Sequence, residues 1–215
     1  MAGKFITFEG GEGAGKSTQI RHLAAHLGEC GIRVVATREP GGTPAAEAIR
    51  DFILGGSASA MGAEAEALLF AAARADHVEA VIRPALASNA WVLCDRFTDS
   101  TRVYQGAEGG VPAEALAALE RIAVGDSRPD LTILLDVPPE VGLERVKARR
   151  ADTGVGPDRF DSEVLDLHAR RRDAFRALAG AEPGRYLVVD AARGEGEIAD
   201  EIWRSVTARL FRAAA

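Results

Sequence analysis

The stretch Gly10-Gly11-Glu12-Gly13-Ala14-Gly15-Lys16-Ser17 decides how the rest of the chain is read. It fits G-x-x-x-x-G-K-[ST], the pattern of a loop that cradles nucleotide phosphates. Its flanks suit it. Lys4-Phe5-Ile6-Thr7-Phe8-Glu9 is a short apolar run that reads as a buried strand. From Ser17 to Cys30, Ile20, Leu23, Ala24 and Leu27 recur at helical spacing. Strand, glycine loop and helix are what backbone N–H groups need to converge on an anion. Gly10 through Thr18 is therefore the expected ATP-binding segment. Lys16 would neutralise the β- and γ-phosphates, and the Ser17 hydroxyl would ligate Mg²⁺.

Working outward, Gly31 stands where a helix C′ glycine belongs, and Ile32 to Thr37 reads as a second buried strand. This βαβ unit predicts a parallel sheet with a right-handed crossover. Arg38-Glu39-Pro40-Gly41-Gly42-Thr43 is a loop whose Thr43-Pro44 pair opens a helix through about Leu54. Residues 55–62 read as a flexible connection. A long helix is expected over about 63–87, with Leu68, Leu69, Ala72, Val78, Val81 and Ile82 inward and a break or bend at Pro84. Strands follow at 90–94, 131–135 and 186–189, with helices at 112–124, 138–150, up to about 179, and 195–212. A glycine-containing loop lies at 151–160. Alternating strands and helices make a doubly wound α/β fold, a five-stranded parallel sheet flanked by helices, in one domain spanning 1–215. Ligands then sit beyond the carboxyl ends of the strands.

Composition narrows the function. The 215 residues carry a net charge of −6, which argues against a nucleic-acid or membrane-surface binder. Lysine occurs only at Lys4, Lys16 and Lys147, so the positive charge is almost all arginine. Cys30 and Cys94 show neither metal spacing nor a disulfide framework, which suits a reducing cytoplasm. No signal peptide or bilayer-spanning run is read.

The polar clusters point to the chemistry beyond phosphate binding. Asp95 closes a strand and could hold the Mg²⁺ shell, or it could cap the next turn. Arg96 comes next, beside the phosphate loop. Two anions brought together for transfer repel, so a second phosphate-binding arginine is a chemical requirement. Arg38 and Arg50 are candidates for the same task, Arg38 equally for a loop salt bridge. Phe70 and Arg74 share a helix face and could stack on a base and donate to its edge, or simply belong to the core. Arg145, Arg149, Arg150 and Arg159 bracket the 151–160 loop, as a solvated face or as a lid of about 147–160 that excludes water and neutralises migrating charge.

These motifs resemble the thymidylate kinases of the nucleoside monophosphate kinase group. The landmarks are Phe8-Glu9-Gly10 entering the P-loop, Arg38 to Thr43, Leu68 to Arg74, Asp95-Arg96-Phe97 and Ser100 to Gly106. Pro129 to Val137 and Asp158-Arg159-Phe160 complete the resemblance. It implies that Phe70 stacks on thymine and Arg74 donates to thymine O4. It further implies that Thr101, with Ser100 beside it, meets the N3 side, that Tyr104 lies near the sugar with Gln105 next to it, and that Arg96 holds the dTMP phosphate. Glu12 stands where the family places a carboxylate near the sugar 3′-hydroxyl and acceptor phosphate. Some members carry Arg at the next position. Here it is Gly13, which implies that lid arginines, Arg149 and Arg150, supply the charge. Arg102 departs from the commoner small or uncharged residue.

The expected enzyme phosphorylates dTMP with Mg-ATP, as a cytoplasmic homodimer that contacts through the helices at 43–54 and 63–87. The alternatives are a kinase for dUMP or UMP, and a nucleotide switch. A guanine-reading N-K-x-D tetrapeptide would support a switch, and no lysine of this chain follows an asparagine.

Overall fold

The structure is a computed structural model, and it describes residues 2–56, 58–153 and 165–211. Five parallel strands form one sheet: β1 (Phe5–Glu9), β2 (Val34–Arg38), β3 (Trp91–Asp95), β4 (Leu131–Asp136) and β5 (Tyr186–Asp190). Their order is β2-β3-β1-β4-β5. β1 sits at the centre, with Phe8 beside Asp95 of β3 and beside Ile133 of β4. The chain moves first to one side of β1 and then to the other. Its carboxyl end is therefore the switch point where a crevice opens.

The central strands are apolar on both faces, as a covered parallel sheet requires. Ile6, Phe8, Trp91, Leu93, Ile133 and Leu135 pack on α1 (Lys16–Glu29), meeting Ile20, Leu23 and Leu27, and on α9 (Glu195–Val206), meeting Ile198 and Ile202. Phe5, Val92 and Cys94 face the other way, against Val78, Ile82, Ala123 and Val124. The period-two alternation of these side chains divides the core.

The remaining helices are α2 (Pro44–Leu54), α3 (Ala63–His77), α4 (Arg83–Ala87), α5 (Thr98–Thr101), α6 (Ala113–Val124), α7 (Pro139–Thr153) and α8 (Leu165–Ala181). Thr43 caps α2, accepting from the Ala46 N–H at 3.0 Å, with Pro44 in the first turn. A single helix over 63–87 is not found. Val78–Ile82 forms a wide π-helical turn in which the Arg83 N–H reaches back to Val78 O, and α4 starts afresh. Pro84 has no N–H and its ring crowds the carbonyl four residues before it, which the wider turn relieves. Part of the 55–62 connection is a short 3₁₀ turn, Ser59–Met61. Helical structure runs on from α5 through a π turn, Arg102–Glu108, and from α9 through another, Thr207–Phe211. Residues 151–153 complete α7 and do not belong to a loop. The remainder of the expected lid, with Arg159, lies outside the described residues.

Arg102 has a structural explanation. It grips Glu120 of α6 through Nε at 3.1 Å and Nη2 at 3.0 Å, and Asp99 at 3.1 Å. Asp99, 1% exposed, also receives two bonds from Arg185 at 2.6 and 3.0 Å. The network ties α5 and α6 to the segment entering β5.

Candidate active site

β1 delivers the glycine loop, and close backbone approach dictates two of its glycines. At Gly10, with φ +137°, an added Cβ would lie 2.5 Å from Leu135 O. At Gly13, with φ +68°, it would lie 2.0 Å from Gly142 O of α7. The loop is thus wedged between β4 and α7, and its N–H groups lead into the first turn of α1. Lys16, 8% exposed, folds across the loop with Nζ 3.1 Å from Gly10 O and 3.1 Å from Gly11 O. Burial lowers its pKa, and Arg96 reinforces this. Ser17 Oγ donates to Asp95 Oδ2 at 2.8 Å. The two expected Mg²⁺ ligands are therefore side by side.

One open cleft, about 290 Å³, runs from this loop to an apolar end. It gathers Glu12 through Thr18, Arg38, Arg50, Phe70, Arg74, Asp95, Arg96, Ser100, Thr101, Tyr104 and Gln105. Glu39, Pro40, Leu54 and Phe97 complete its walls. Gly10 and Gly11 lie behind the loop, against β4. Arg149 and Arg150 are on the last turns of α7, but their side chains are not among those described.

Arg96 is the hub. Its backbone φ is +67°, a costly conformation for an arginine. It is held from both sides. The Arg96 N–H bonds Phe8 O at 2.9 Å. The wholly buried Glu9 carboxylate accepts from Phe97 N at 2.8 Å, Ser100 N at 3.3 Å and Ser100 Oγ at 2.6 Å. Burial, aided by Asp99, pushes the Glu9 carboxyl up to about 7 against those hydrogen bonds. The Arg96 guanidinium then reaches Glu12 Oε1, Ser100 Oγ at 3.1 Å and Gly10 O at 3.3 Å, and lies 5.2 Å from the Tyr104 ring centre. Burial would raise Glu12, but Arg96 and Lys16 together hold it at about 2, so it is a carboxylate.

Arg74 anchors the opposite wall. Nε donates to Glu39 Oε2 at 2.7 Å, and Nη2 to Phe97 O and Thr101 Oγ1, both at 3.1 Å. Gln105 Nε2 lies 3.4 Å from Glu66 Oε2. Arg50 Nη1 bonds Pro40 O at 3.0 Å. Arg38 is half exposed and pairs with Glu47 at 2.9 Å. Glu39, His77 and Cys94 bring ligand-type atoms within 4.8 Å of one another. Both Glu39 oxygens and both His77 nitrogens are engaged with protein partners, and burial raises the Cys94 thiol, so this is a hydrogen-bonded core network.

Sequence reasoning passed over Glu9, Glu39, His77 and Arg171. Arg171 of α8 is 2% exposed, pairs with Glu108, and lies 4.4 Å from the Tyr104 ring centre. For Glu9 a signal existed, since an acid closing a buried strand is what singled out Asp95.

A P-loop beside an arginine-and-aromatic pocket has a counterpart among known proteins. The family model described as thymidylate kinase matches residues 8–202. The chain belongs to the thymidylate kinase family. Proteins named thymidylate kinase resemble it over nearly their whole lengths. That of Bradyrhizobium sp. (strain ORS 278) is 54% identical over 213 residues, 99% of this chain and 93% of the relative. That of Rhodopseudomonas palustris (strain TIE-1) is 54% identical over 215 residues, 100% and 93% respectively. That of Nitrobacter hamburgensis is 51% identical over 211 residues, 98% and 91%. The five-stranded parallel sheet with its central P-loop strand is consistent with thymidylate kinase membership. No described helix is long and apolar enough to cross a membrane.

Proposed function

We propose that the cleft transfers the γ-phosphoryl group of ATP to dTMP, yielding dTDP and ADP, a step towards dTTP for DNA replication. The observation that carries this reading is the cleft itself. In a chain of the thymidylate kinase family, one continuous space joins the P-loop to Phe70 and Arg74.

ATP phosphates lie over Gly10 to Thr18, with Lys16 on the β- and γ-phosphates. Ser17 and Asp95 would hold Mg²⁺, and their paired oxygens 2.8 Å apart are the hard donors this ion takes. When bound, the ion would neutralise charge on the β- and γ-phosphates. Phe70 stacks on thymine, and Arg74 donates to O4. Thr101 Oγ1 accepts from Arg74 and keeps a lone pair for the base N3–H. The Ser100 hydroxyl is committed to Glu9 and Arg96, which favours Thr101 as the base contact. Tyr104 and Gln105 line the sugar side. Arg96 grips the acceptor phosphate near Glu12, with Arg38 or Arg50 assisting.

The acceptor oxygen attacks the γ-phosphorus in line. It needs no general base, because a phosphate monoester is largely dianionic at pH 7, with a second pKa of about 6. Catalysis is positioning and charge neutralisation. The blocked Cβ position at Gly13 supports Arg149 and Arg150 as the source of charge from the lid end of α7. The assembly is a homodimer. Phe52 of α2, Leu68 of α3 and Ile122 of α6 are exposed apolar side chains on neighbouring helices, which supports that reading.

The test is ADP release from Mg-ATP with dTMP, dUMP, UMP, CMP, AMP or GMP offered singly. Release strongest with dTMP, accompanied by dTDP, is expected. Preference for another monophosphate would discard the base pocket, and release indifferent to all six would discard the kinase reading.

A further inference from the structure

Arg74 and His77 lie three residues apart at the end of α3 and so share a face. Both bond the same carboxylate. Glu39, 3% exposed at its side chain, accepts Arg74 Nε on Oε2 at 2.7 Å and meets His77 Nδ1 on Oε1 at 2.9 Å. The wholly buried His77 ring puts its other nitrogen, Nε2, 2.7 Å from Thr37 Oγ1 of β2. An ionised Glu39 only accepts, which assigns the proton to Nδ1. In the neutral ring, Nε2 then accepts from the Thr37 hydroxyl. The ring is also fenced sterically. An added Cβ on Gly42, with φ +89°, would lie 2.6 Å from His77 Cδ2 and 2.7 Å from Nε2. The loop backbone therefore closes on the imidazole.

These contacts fix Arg74 as a plane. Nε is held by Glu39 and Nη2 by Phe97 O and Thr101 Oγ1. Nη1 makes no hydrogen bond among the described residues and is the donor left for a ligand in the cleft that Arg74 lines. A carboxylate held by Arg74 alone could swing about its side-chain torsions and carry the guanidinium with it. With Oε1 tied to His77, it cannot.

We propose that His77 is a positioning residue for base selectivity, acting through Glu39 to hold Arg74 in one orientation. The proposal rests on the reading that Arg74 meets the base edge. A guanidinium only donates. It matches the O4 acceptor of thymine and opposes the amino donor that cytosine carries there. An Arg74 free to turn aside would tolerate cytosine. His77 therefore governs discrimination, while the phosphate chemistry at Lys16 and Arg96 proceeds without it.

The experiment uses the full chain with His77→Asn, His77→Gln and Arg74→Ala. The readouts are kcat and KM for dTMP and for dCMP, and the thermal midpoint. An Asn amide can occupy the place of Nδ1 and donate to Glu39. A Gln amide reaches the place of Nε2 and serves Thr37 instead. His77→Gln is expected to lower the dTMP-to-dCMP ratio of kcat/KM about ten-fold, the size allowed by one charge-assisted hydrogen bond. The loss should appear in KM for dTMP, with kcat kept within about two-fold. His77→Asn should keep the ratio within about two-fold. Equal ratios in the two variants, with stability or kcat falling alike, would reduce His77 to packing and overturn the proposal. If His77→Gln does not fold, His77→Asn still decides, because a ten-fold loss of ratio there overturns it. An unchanged ratio in Arg74→Ala would instead overturn the assignment of Arg74 to the base, and that result is separable from the others.

Discussion

Replacing Gly142 with alanine should damage turnover far more than stability. Gly142 lies on α7, where a methyl group would sit 2.3 Å from Glu12 O. Carbon–oxygen contacts settle at about 3.3 Å or more, so the helix and the P-loop must part by about 1 Å. The obstacle is backbone on both sides, since Gly13 in turn abuts Gly142 O. In an unobstructed helix the same change would stabilise by up to about 1 kcal/mol. Overpacking costs about 1–3 kcal/mol. The steric cost prevails, leaving a net loss of at most about 2 kcal/mol, or a few degrees of thermal midpoint at this size. Moving Glu12 by about 1 Å beside Arg96 costs more, on the order of 10²-fold in kcat. Coupled ADP-release kinetics with dTMP, run alongside thermal melts, would show the split. Gly180→Ala is the control, since nothing lies within 4 Å of its Cβ position on α8. It should gain stability and keep full activity. A Gly142→Ala protein as active as the parent, or stabilised like the control, would show that the two backbones do not press on one another.

Lys16→Met should lower kcat by about 10²–10³-fold while leaving the KM for dTMP nearly unchanged, measured by steady-state kinetics. Asp99→Ala removes the buried carboxylate that Arg102 and Arg185 share, but Arg102 keeps Glu120 and Arg185 keeps Glu182, so the loss in urea unfolding should be about 2 kcal/mol, the size of lost charge-assisted hydrogen bonds rather than of a stranded buried charge. Glu12 falls from 4.5 unfolded to about 2 folded, so its stabilisation of about 3 kcal/mol is complete above pH 4.5 and lost as pH drops towards 2. Glu12→Gln should flatten that acid limb in urea melts at pH 5 and pH 3, and parallel slopes for the two proteins would refute the assignment. On the proposed homodimer, Ile122→Glu should lower the mass in sedimentation equilibrium to that of one chain, and an unchanged mass would remove this face from the interface.

The central strands and the order of elements were legible because buried parallel strands are nearly continuous apolar runs bounded by glycine, proline and acids, whereas β2, expected to be buried, lies at the sheet edge and is partly exposed throughout. Thr43-Pro44 marked the start of α2 in the same local way. α3 was misread in phase. Its periodicity placed Leu68 and Ala72 inward, yet both are exposed, while Glu66, Ala67, Ala73, Arg74 and His77 are buried and Val78 and Ile82 follow as expected. A count of apolar positions misses a buried face whose charges find partners from distant segments, here Glu39 and Gln105. The helix at 98–108 escaped notice because Thr98, Ser100, Thr101 and Gly106 form helices poorly in isolation. Arg171 was illegible because its partner Glu108 lies 63 residues away.

The arginines of the cleft also decide how far its pull extends. Arg38 holds Glu47, Arg74 holds Glu39, and Arg96 holds Glu12. Each cation is thus largely cancelled beyond a few ångströms, in a chain whose net charge is −6. An approaching nucleotide feels little long-range attraction, and gain comes only on contact, when its own groups enter these pairings. Its association should therefore respond less to ionic strength than the number of arginines suggests.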